Sequence, residues 1–488
     1  MVSIPVSFFR KNISVLSVHI LIRMQNLLLI PIIIKTSGAA TYGAYALLIS
    51  LTAFIFGVSS LGVGYRCRRL LPSIEAYKER IRIFFSQFTF QLITLSILTL
   101  MLVYLYPKFD EFFFKGEFEL QAWIFLPFLL IHLIYSQLTD YFRYTHRIKI
   151  FNYATVVQPY LFILYLLLYW SIYDKIDVSI LLISTLASSF VVAIVLIYLA
   201  LKEIGFKLQL SPISDIYKDM KLGFPLTLSY IVDVIIAMSD RYVIAAFIGV
   251  SAVGYYIPAY TIGMLIIVLA KVFGVVLPPM VSRSIDSGDK MTSEKIINIS
   301  IKVYLIASIP FVVGSLMFSK QILALFTTPE IADQAYIITP IVAFGALFYG
   351  LQLIISNVLF VTMKTKLMFK VNFYVAMLNL ILNIILLYLF KEIVIAAITT
   401  TISYIFSLMY IFPKVNLFWK ISIDWIAVYK AIFNSIIMGF FLFWYISLSN
   451  GEAMYGLADI LIGVLSSMLL YIVFSVVTKI IKKKEWSF

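Results

Sequence analysis

The stretch that decides the fold is Met238–Tyr260, "MSDRYVIAAFIGVSAVGYYIPAY". It sets Asp240 and Arg241 side by side inside a long apolar run, then adds a glycine-spaced turn, "GVSAVGYY". A near-copy of that turn, "GAATYGAY", stands at Gly38–Tyr45. With Gly38 placed on Gly249, both read G-x-x-x-x-G-x-Y at an offset of 211. Each copy closes one apolar run and opens the next. Glycine serves tight turns in general, so either copy alone is explained by its turn. Their matching positions in the two halves of the chain point to an internal duplication.

The surrounding composition sets the class. Of 488 residues, 62% are hydrophobic and 13% charged, and the mean hydropathy is +1.02. Soluble domains carry roughly 45–50% apolar and about 25% charged residues. The excess lies in blocks long enough to cross a bilayer core, which takes about 20 residues. A soluble fold of this composition would leave large apolar surfaces in water. The chain therefore reads as an all-α polytopic membrane protein. Its apolar run from Ile13 to Ile34 is too long for the roughly 7–15-residue apolar core of a cleaved signal. It also contains Arg23, so it reads as a retained first span.

About fourteen transmembrane helices are expected, at 13–35, 42–65, 83–106, 121–138, 151–172, 178–201, 222–246, 255–280, 296–318, 335–362, 371–390, 393–412, 425–448 and 456–478. An even number puts both termini on one side. Of the 38 lysines and arginines, 27 fall in the termini and in the loops after even-numbered spans. Only 6 (Lys35, Lys108, Lys115, Lys175, Lys320 and Lys391) fall in the opposite loops. The positive-inside rule then places both termini in the cytoplasm. The net charge of +14 is thereby a topology signal with anionic membrane lipid as its neighbour, and no nucleic-acid partner is needed. Cys67 is the single cysteine, so no intrachain disulfide forms. It lies in the basic loop after span 2 and is expected to react with maleimide only in permeabilised cells.

The expected organisation is an N-terminal six-helix half at 1–201, a cytoplasmic linker at 202–221, a second six-helix half at 222–412, and two additional helices with a basic tail at 413–488. The linker, "KEIGFKLQLSPISDIYKDMK", is amphipathic and basic, which suits the inner membrane surface. Halves with even span counts share one orientation. The expectation is a parallel repeat about an axis along the membrane normal, enclosing a central cavity.

Two longer stretches carry a family resemblance. "LLLIPIIIKTSGAATYGAYALL" spans Leu27–Leu48, and "KLGFPLTLSYIVDVIIAMSDRYVIAAFIGVSAVGYYIPAY" spans Lys221–Tyr260. The second holds a G-x-P at Gly223–Pro225, the triplet Asp240-Arg241-Tyr242 and the turn. Over essentially its whole length the chain resembles the Wzx-type O-antigen and capsule polysaccharide flippases of the multidrug/oligosaccharidyl-lipid/polysaccharide exporter superfamily. It departs at Lys35-Thr36-Ser37-Gly38, where many members carry Arg and then Leu-Gly. The resemblance implies movement of an undecaprenyl-diphosphate-linked oligosaccharide from the cytoplasmic to the outer leaflet of the bacterial inner membrane, alongside other polysaccharide assembly proteins. It also implies a place in lipopolysaccharide or capsule biosynthesis.

Five cations remain inside spans: Arg23, Arg241, Lys271, Lys302 and Lys430. Lys302 and Lys430 lie near cytoplasmic ends and are expected to snorkel. Each ionisable residue at a helix centre costs roughly 2.5–3.5 kcal/mol against lipid, so the charges are expected to face a polar interior. His19, Arg23 and Asn26 recur at i, i+4, i+7 on one face of span 1. Ser229, Tyr230, Asp233, Asp240 and Arg241 lie near one stripe of span 7. Asp240 and Arg241, being adjacent, do not face each other.

Two readings stay open. In one, Arg23 and Lys271 pair with Asp233 and Asp240 and lock the halves. In the other, Arg23, Arg241 and Lys271 outnumber the two aspartates, and the guanidiniums grip a diphosphate in two-pronged fashion. A cation released from its aspartate by substrate would couple binding to movement. Tyrosines and phenylalanines at helix ends read as interfacial anchors; for Tyr230, on the polar stripe, stacking on sugar rings is the other reading, and the sequence does not choose between them.

Catalytic chemistry is not expected. His19, His132 and His146 are scattered, without metal-ligand spacing. No G-x-x-x-x-G-K-[ST] occurs, so no nucleotide site or other cofactor is expected. Two other functions compete. A cation-coupled drug or metabolite exporter of the same superfamily usually has twelve spans and often an acid in span 1, where this chain has Arg23. A membrane polysaccharide polymerase would carry a large external loop, and this chain has only short ones.

Overall fold

The computed structural model describes residues 6–72, 74, 76–116, 122–204, 210–448 and 456–480, and of these the side chains of 6–20, 23, 26, 77, 122 and 204 lie outside the description. The described residues are helical and contain no strand. The chain divides into two compact units, one ending at Gly254 and the other running from Tyr255. The first unit holds α1 (Val6–Ser59), α2 (Gly64–Leu70), α3 (Tyr77–Phe109), α4 (Phe125–Tyr144), α5 (Ile148–Tyr173), α6 (Val178–Ile204) and α7 (Ile213–Phe247). The division falls within α8 (Val250–Gly263). The second unit continues with α9 (Ile267–Asp286), α10 (Lys290–Phe326), α11 (Pro329–Ala335), α12 (Ile338–Val361), α13 (Thr365–Phe390), α14 (Ile393–Asn416), α15 (Trp425–Leu448) and α16 (Leu457–Val477).

Among the described residues, twelve helical stretches are long and apolar enough to cross a membrane. One of them, Leu27–Ser59, breaks at Gly38, whose φ of 83° and ψ of 171° are not helical. It therefore carries expected spans 1 and 2. Expected span 4 corresponds to α4, which has 20 residues but is not among the twelve. Gln137, Asp140 and Arg143 dilute its apolar character. Its inner face is buried instead, from Phe125 to Phe142. With α1 divided at Gly38 and α4 included, each of the fourteen expected spans has its helix.

The glycine turns behave alike. Gly38 has φ +83° and Gly249 has φ +137°, and a β-carbon at either would meet nothing within 4 Å. Both are thus kept by backbone conformation and not by crowding. A second pair of turns was not legible in the sequence. Thr145-His146-Arg147 and Thr362-Met363-Lys364 are 217 residues apart and close their helices identically. In each, the middle residue is left-handed (φ 63° and 55°). Arg147 N–H donates to Phe142 O and Lys364 N–H to Leu359 O, both at 2.8 Å. These are Schellman closures that satisfy the orphan carbonyls of a helix end. The helices that follow, α5 and α13, have 26 residues each and both end on a left-handed residue, Asp174 and Lys391.

Packing follows membrane rules, in which small residues and interhelical hydrogen bonds hold helices together. The first unit packs Phe84, Leu138, Phe142 and Leu196 with Ala154, Ala193 and Ala200. Beside this lies a buried amide ladder. Gln87 Nε2 donates to Gln137 Oε1 at 3.0 Å, Gln137 donates to Gln91, and Gln91 Nε2 donates to Ser59 Oγ at 3.1 Å. In the second unit, Asn379 Nδ2 donates to Thr400 Oγ1 at 3.1 Å and Asn383 Nδ2 to Asn379 Oδ1 at 3.2 Å, joining α13 to α14. Tyr304 donates to Ala346 O at 2.8 Å, with its hydroxyl lodged where a β-carbon on Gly350 would stand.

One expectation is corrected. Cys67 sits in α2 at 2% exposure, with Sγ 3.8 Å from Ile83 O. Burial pushes its thiol well above the usual range, and Asp219 and Asp140 push the same way. The thiolate is the reactive form, so Cys67 is expected to resist maleimide at neutral pH from either side and to react only after denaturation. Met363, at 87% exposure in the turn after α12, replaces it as reporter. A Met363→Cys chain should label in permeabilised cells and not in intact ones. Labelling from outside would reverse the orientation.

Candidate functional site

Helix α7 lies antiparallel to the second arm of α1. Tyr242 OH donates to Leu47 O at 2.9 Å, Arg241 Nη1 to Ser50 Oγ at 2.8 Å, and Tyr230 OH to Ala53 O at 2.8 Å. Below them Arg66 Nη1 stands 3.5 Å from Asp219 Oδ2. Glycines permit this approach. A β-carbon on Gly57 would strike the Tyr230 ring, and one on Gly62 or Gly223 would strike the other's backbone. The helix pair thus touches at backbone distance near one end and is hydrogen-bonded along its length.

At the other end the two glycine-spaced turns meet. A β-carbon on Gly43 would strike Val250 O, and one on Gly254 would strike Ala39 O. Under the offset of 211, Ala39 maps onto Val250 and Gly43 onto Gly254. The contact therefore maps onto itself when the two copies are exchanged, the reciprocity of a two-fold contact. The second glycine of each turn is fixed by close approach and the first by φ. The sequence reading assigned both to the turn alone. The spacing Ala39-x-x-x-Gly43, a small-residue pair on one helical face, was the available signal.

The expected site residues are distributed as follows. His19, Arg23 and Asn26 lie on the first arm of α1, and their side chains fall outside the described residues. Tyr230 has its hydroxyl engaged and its ring 38% exposed. Asp233 is exposed one turn further along α7. Asp240 is buried at 4% exposure, so the stripe read from sequence divides between an open and a covered face. Arg241 is half-buried and turned onto α1. Lys271 is exposed on α9 in the second unit. Structure thus joins Tyr230 and Arg241 to α1 through Ala53 and Ser50. Ser50, a lone hydroxyl in an apolar run, gave no sequence signal.

Arg241 sits in an apolar span with a neutral hydroxyl as its hydrogen-bond partner. Among the described residues no carboxylate pairs with it. An arginine held in this way retains its positive field and its remaining N–H donors for an anion. The two lysines expected to snorkel do otherwise. Lys302 is ion-paired with Asp424 at 2.9 Å, its side chain 9% exposed. Lys430 Nζ donates to Thr478 O at 2.7 Å, at the carbonyl end of α16, where cations are favoured. Among the described residues, no three His, Cys, Asp or Glu side chains cluster as metal ligands.

Comparison with known proteins places this geometry. A family model described as "Polysaccharide biosynthesis protein" matches residues 8–285, and the MatE model matches 225–385. No curated protein matches the chain in sequence. Among solved structures, the chain is similar to a lipid II flippase MurJ in an inward closed conformation. The TM-score is 0.74 at 21% identity, over 96% of this chain and 98% of that one. It is also similar to an inward-facing multidrug resistance MATE family transporter of the MOP superfamily, with TM-score 0.65 at 15% identity, over 80% and 94%. The MATE transporter DinF-BH gives 0.58 at 16% identity, over 85% and 97%. The fold is shared with these transporters.

Proposed function

Because the chain belongs to the polysaccharide biosynthesis protein family, a group within the multidrug/oligosaccharidyl-lipid/polysaccharide exporter superfamily, we propose that it is a Wzx-type flippase for an undecaprenyl-diphosphate-linked oligosaccharide. It is a multi-pass membrane protein of the transporter and flippase class. In this reading it works in the bacterial inner membrane with both termini cytoplasmic, and other assembly proteins use its product. It moves the anionic glycolipid to the outer leaflet by alternating access of a cationic cavity. Arg23, Arg241 and Lys271 attract the diphosphate. His19, Asn26, Tyr230, Asp233 and Asp240 line or couple the path.

The observation that carries this is Arg241. Its guanidinium is held at 2.8 Å by the neutral Ser50 hydroxyl inside an apolar span. Retaining a charge there costs roughly 2.5–3.5 kcal/mol. A merely structural role would be served by a carboxylate partner or by an apolar residue. An anionic substrate gives the unneutralised charge a use, through charge-assisted hydrogen bonds.

The MatE match over 225–385 favours a second reading, a cation-coupled drug or metabolite exporter. Deleting the gene separates the two. Diphosphate-linked repeat units should accumulate in the inner leaflet, with unchanged drug sensitivity. Increased sensitivity to cationic drugs with normal leaflet distribution of the glycolipid would replace the flippase with the exporter.

A further inference from the structure

We infer that the second unit carries a binding site for the phosphate headgroup of an anionic phospholipid, separate from any transport path. A cavity of about 850 Å³ opens between the first turns of α10 and the segment 416–424 that joins α14 to α15. Small-molecule ligand pockets run roughly 300–1,000 Å³.

The cavity wall is tied down by one face of α10. Glu294, Asn298 and Lys302 follow at i, i+4, i+8 and each holds the opposing segment. Lys420 N–H donates to Glu294 Oε1 at 3.0 Å. Asn298 donates to Lys420 O at 3.1 Å and accepts from Ser422 N–H at 3.0 Å. Lys302 pairs with Asp424 at 2.9 Å, and Asp424 Oδ1 also accepts from Ala427 N–H at 3.0 Å. Both lining carboxylates are therefore committed to groups in the wall.

The lysines of the rim are not. Lys295 and Lys420 line the cavity, both exposed, and neither ammonium has an ion-pair or hydrogen-bond partner among the described residues. Other cations nearby are engaged: Lys364 lies 3.3 Å from the centre of the Phe418 ring and Lys414 3.3 Å from that of Tyr410. Two unengaged ammoniums at the rim of a cavity lined by polar Asn298 and Ser422 and by apolar Ile299 and Ile421 suit a phosphate with an apolar tail. The flank decides which kind. Leu417 is 87% exposed, Ile426 70%, Tyr429 67% and Trp425 58%. Exposed tryptophan and tyrosine with aliphatic side chains at a helix start mark the level of membrane headgroups. A ligand with a phosphate head and acyl tails satisfies both parts, and basic pockets at this level take lipid headgroups. The site does not depend on which substrate the protein carries.

The test titrates the purified full-length chain in mild detergent with phosphatidylglycerol or phosphatidylcholine and counts bound lipid by native mass spectrometry. Phosphatidylglycerol should bind in preference. The double change Lys295→Ala, Lys420→Ala should weaken its first binding step about 30-fold. Both side chains are exposed, so folding should be kept, and the melting midpoint checks this. Lys366→Ala with Lys370→Ala, the same charge loss at the start of α13, should leave binding within about twofold. Equal binding of phosphatidylcholine, or equal loss in the α13 variant, would overturn the site. So would full affinity in the Lys295/Lys420 variant. Displacement of the lipid by millimolar inorganic phosphate would reassign it to a soluble phosphate.

Discussion

Gly254→Val is expected to abolish transport. A β-carbon there would overlap the oxygen, carbonyl carbon and Cα of Ala39, all backbone atoms that no rotamer change can move aside. The start of α8 and the second arm of α1 would have to separate. Overpacking of this kind costs roughly 1–3 kcal/mol and occasionally more, which under the proposed alternating access disfavours whichever state needs the contact. Two other glycines give the scale. Gly38→Ala would meet no atom but must hold φ 83° and ψ 171°, a backbone region essentially reserved for glycine, at a strain of roughly 1–3 kcal/mol. Gly274→Ala meets nothing within 4 Å at an ordinary helical φ, and should be neutral or slightly stabilising. The readout is surface glycan per unit of membrane-inserted protein, with the melting midpoint in detergent. Loss should fall in the order Gly254→Val, Gly38→Ala, Gly274→Ala. Normal transport by Gly254→Val would mean that the contact is dispensable to the cycle.

Helices were legible because the bilayer imposes a length and a solvent on them. Each apolar block of about 20 residues had to span, and a helix is what satisfies the backbone within one such segment. The turn at Gly38 was legible from its copy at Gly249. The helix end at His146 was not, because its left-handed residue is not glycine and its partner at Met363 shares no residue type with it. Contacts between helices distant in sequence were hidden as well. Arg241 on Ser50 joins a charged residue to one that reads as a neutral filler. Lys302 on Asp424 joins a span lysine expected to snorkel to a carboxylate in the segment before α15. Cys67 read as a loop residue, yet α2 folds it beneath Leu71 and Ile83. In each case the pattern along the chain gives the element, and the partner lies on another element whose rotation about its axis no single segment specifies.

The second large effect is expected at Arg23. It lies ten residues into the first span on a face shared with His19 and Asn26, with no acid in that span to neutralise it. As a phosphate ligand it contributes charge-assisted hydrogen bonds, each worth roughly 1.5–3 kcal/mol. Arg23→Gln keeps size and polarity but removes the charge, so transport should fall roughly 10- to 100-fold. Arg23→Lys should recover part, since a point charge replaces a planar fork. A purely structural Arg23 behaves differently. Its removal would strand Asp233 or Asp240, lower the amount of inserted protein, and be rescued by changing that aspartate to Asn. The deciding measurement is the amount of diphosphate-linked oligosaccharide in the inner leaflet of cells carrying Arg23→Gln, normalised to inserted protein. Accumulation at normal protein abundance is the predicted result. Wild-type leaflet distribution would contradict a cationic path for an anionic lipid-linked glycan.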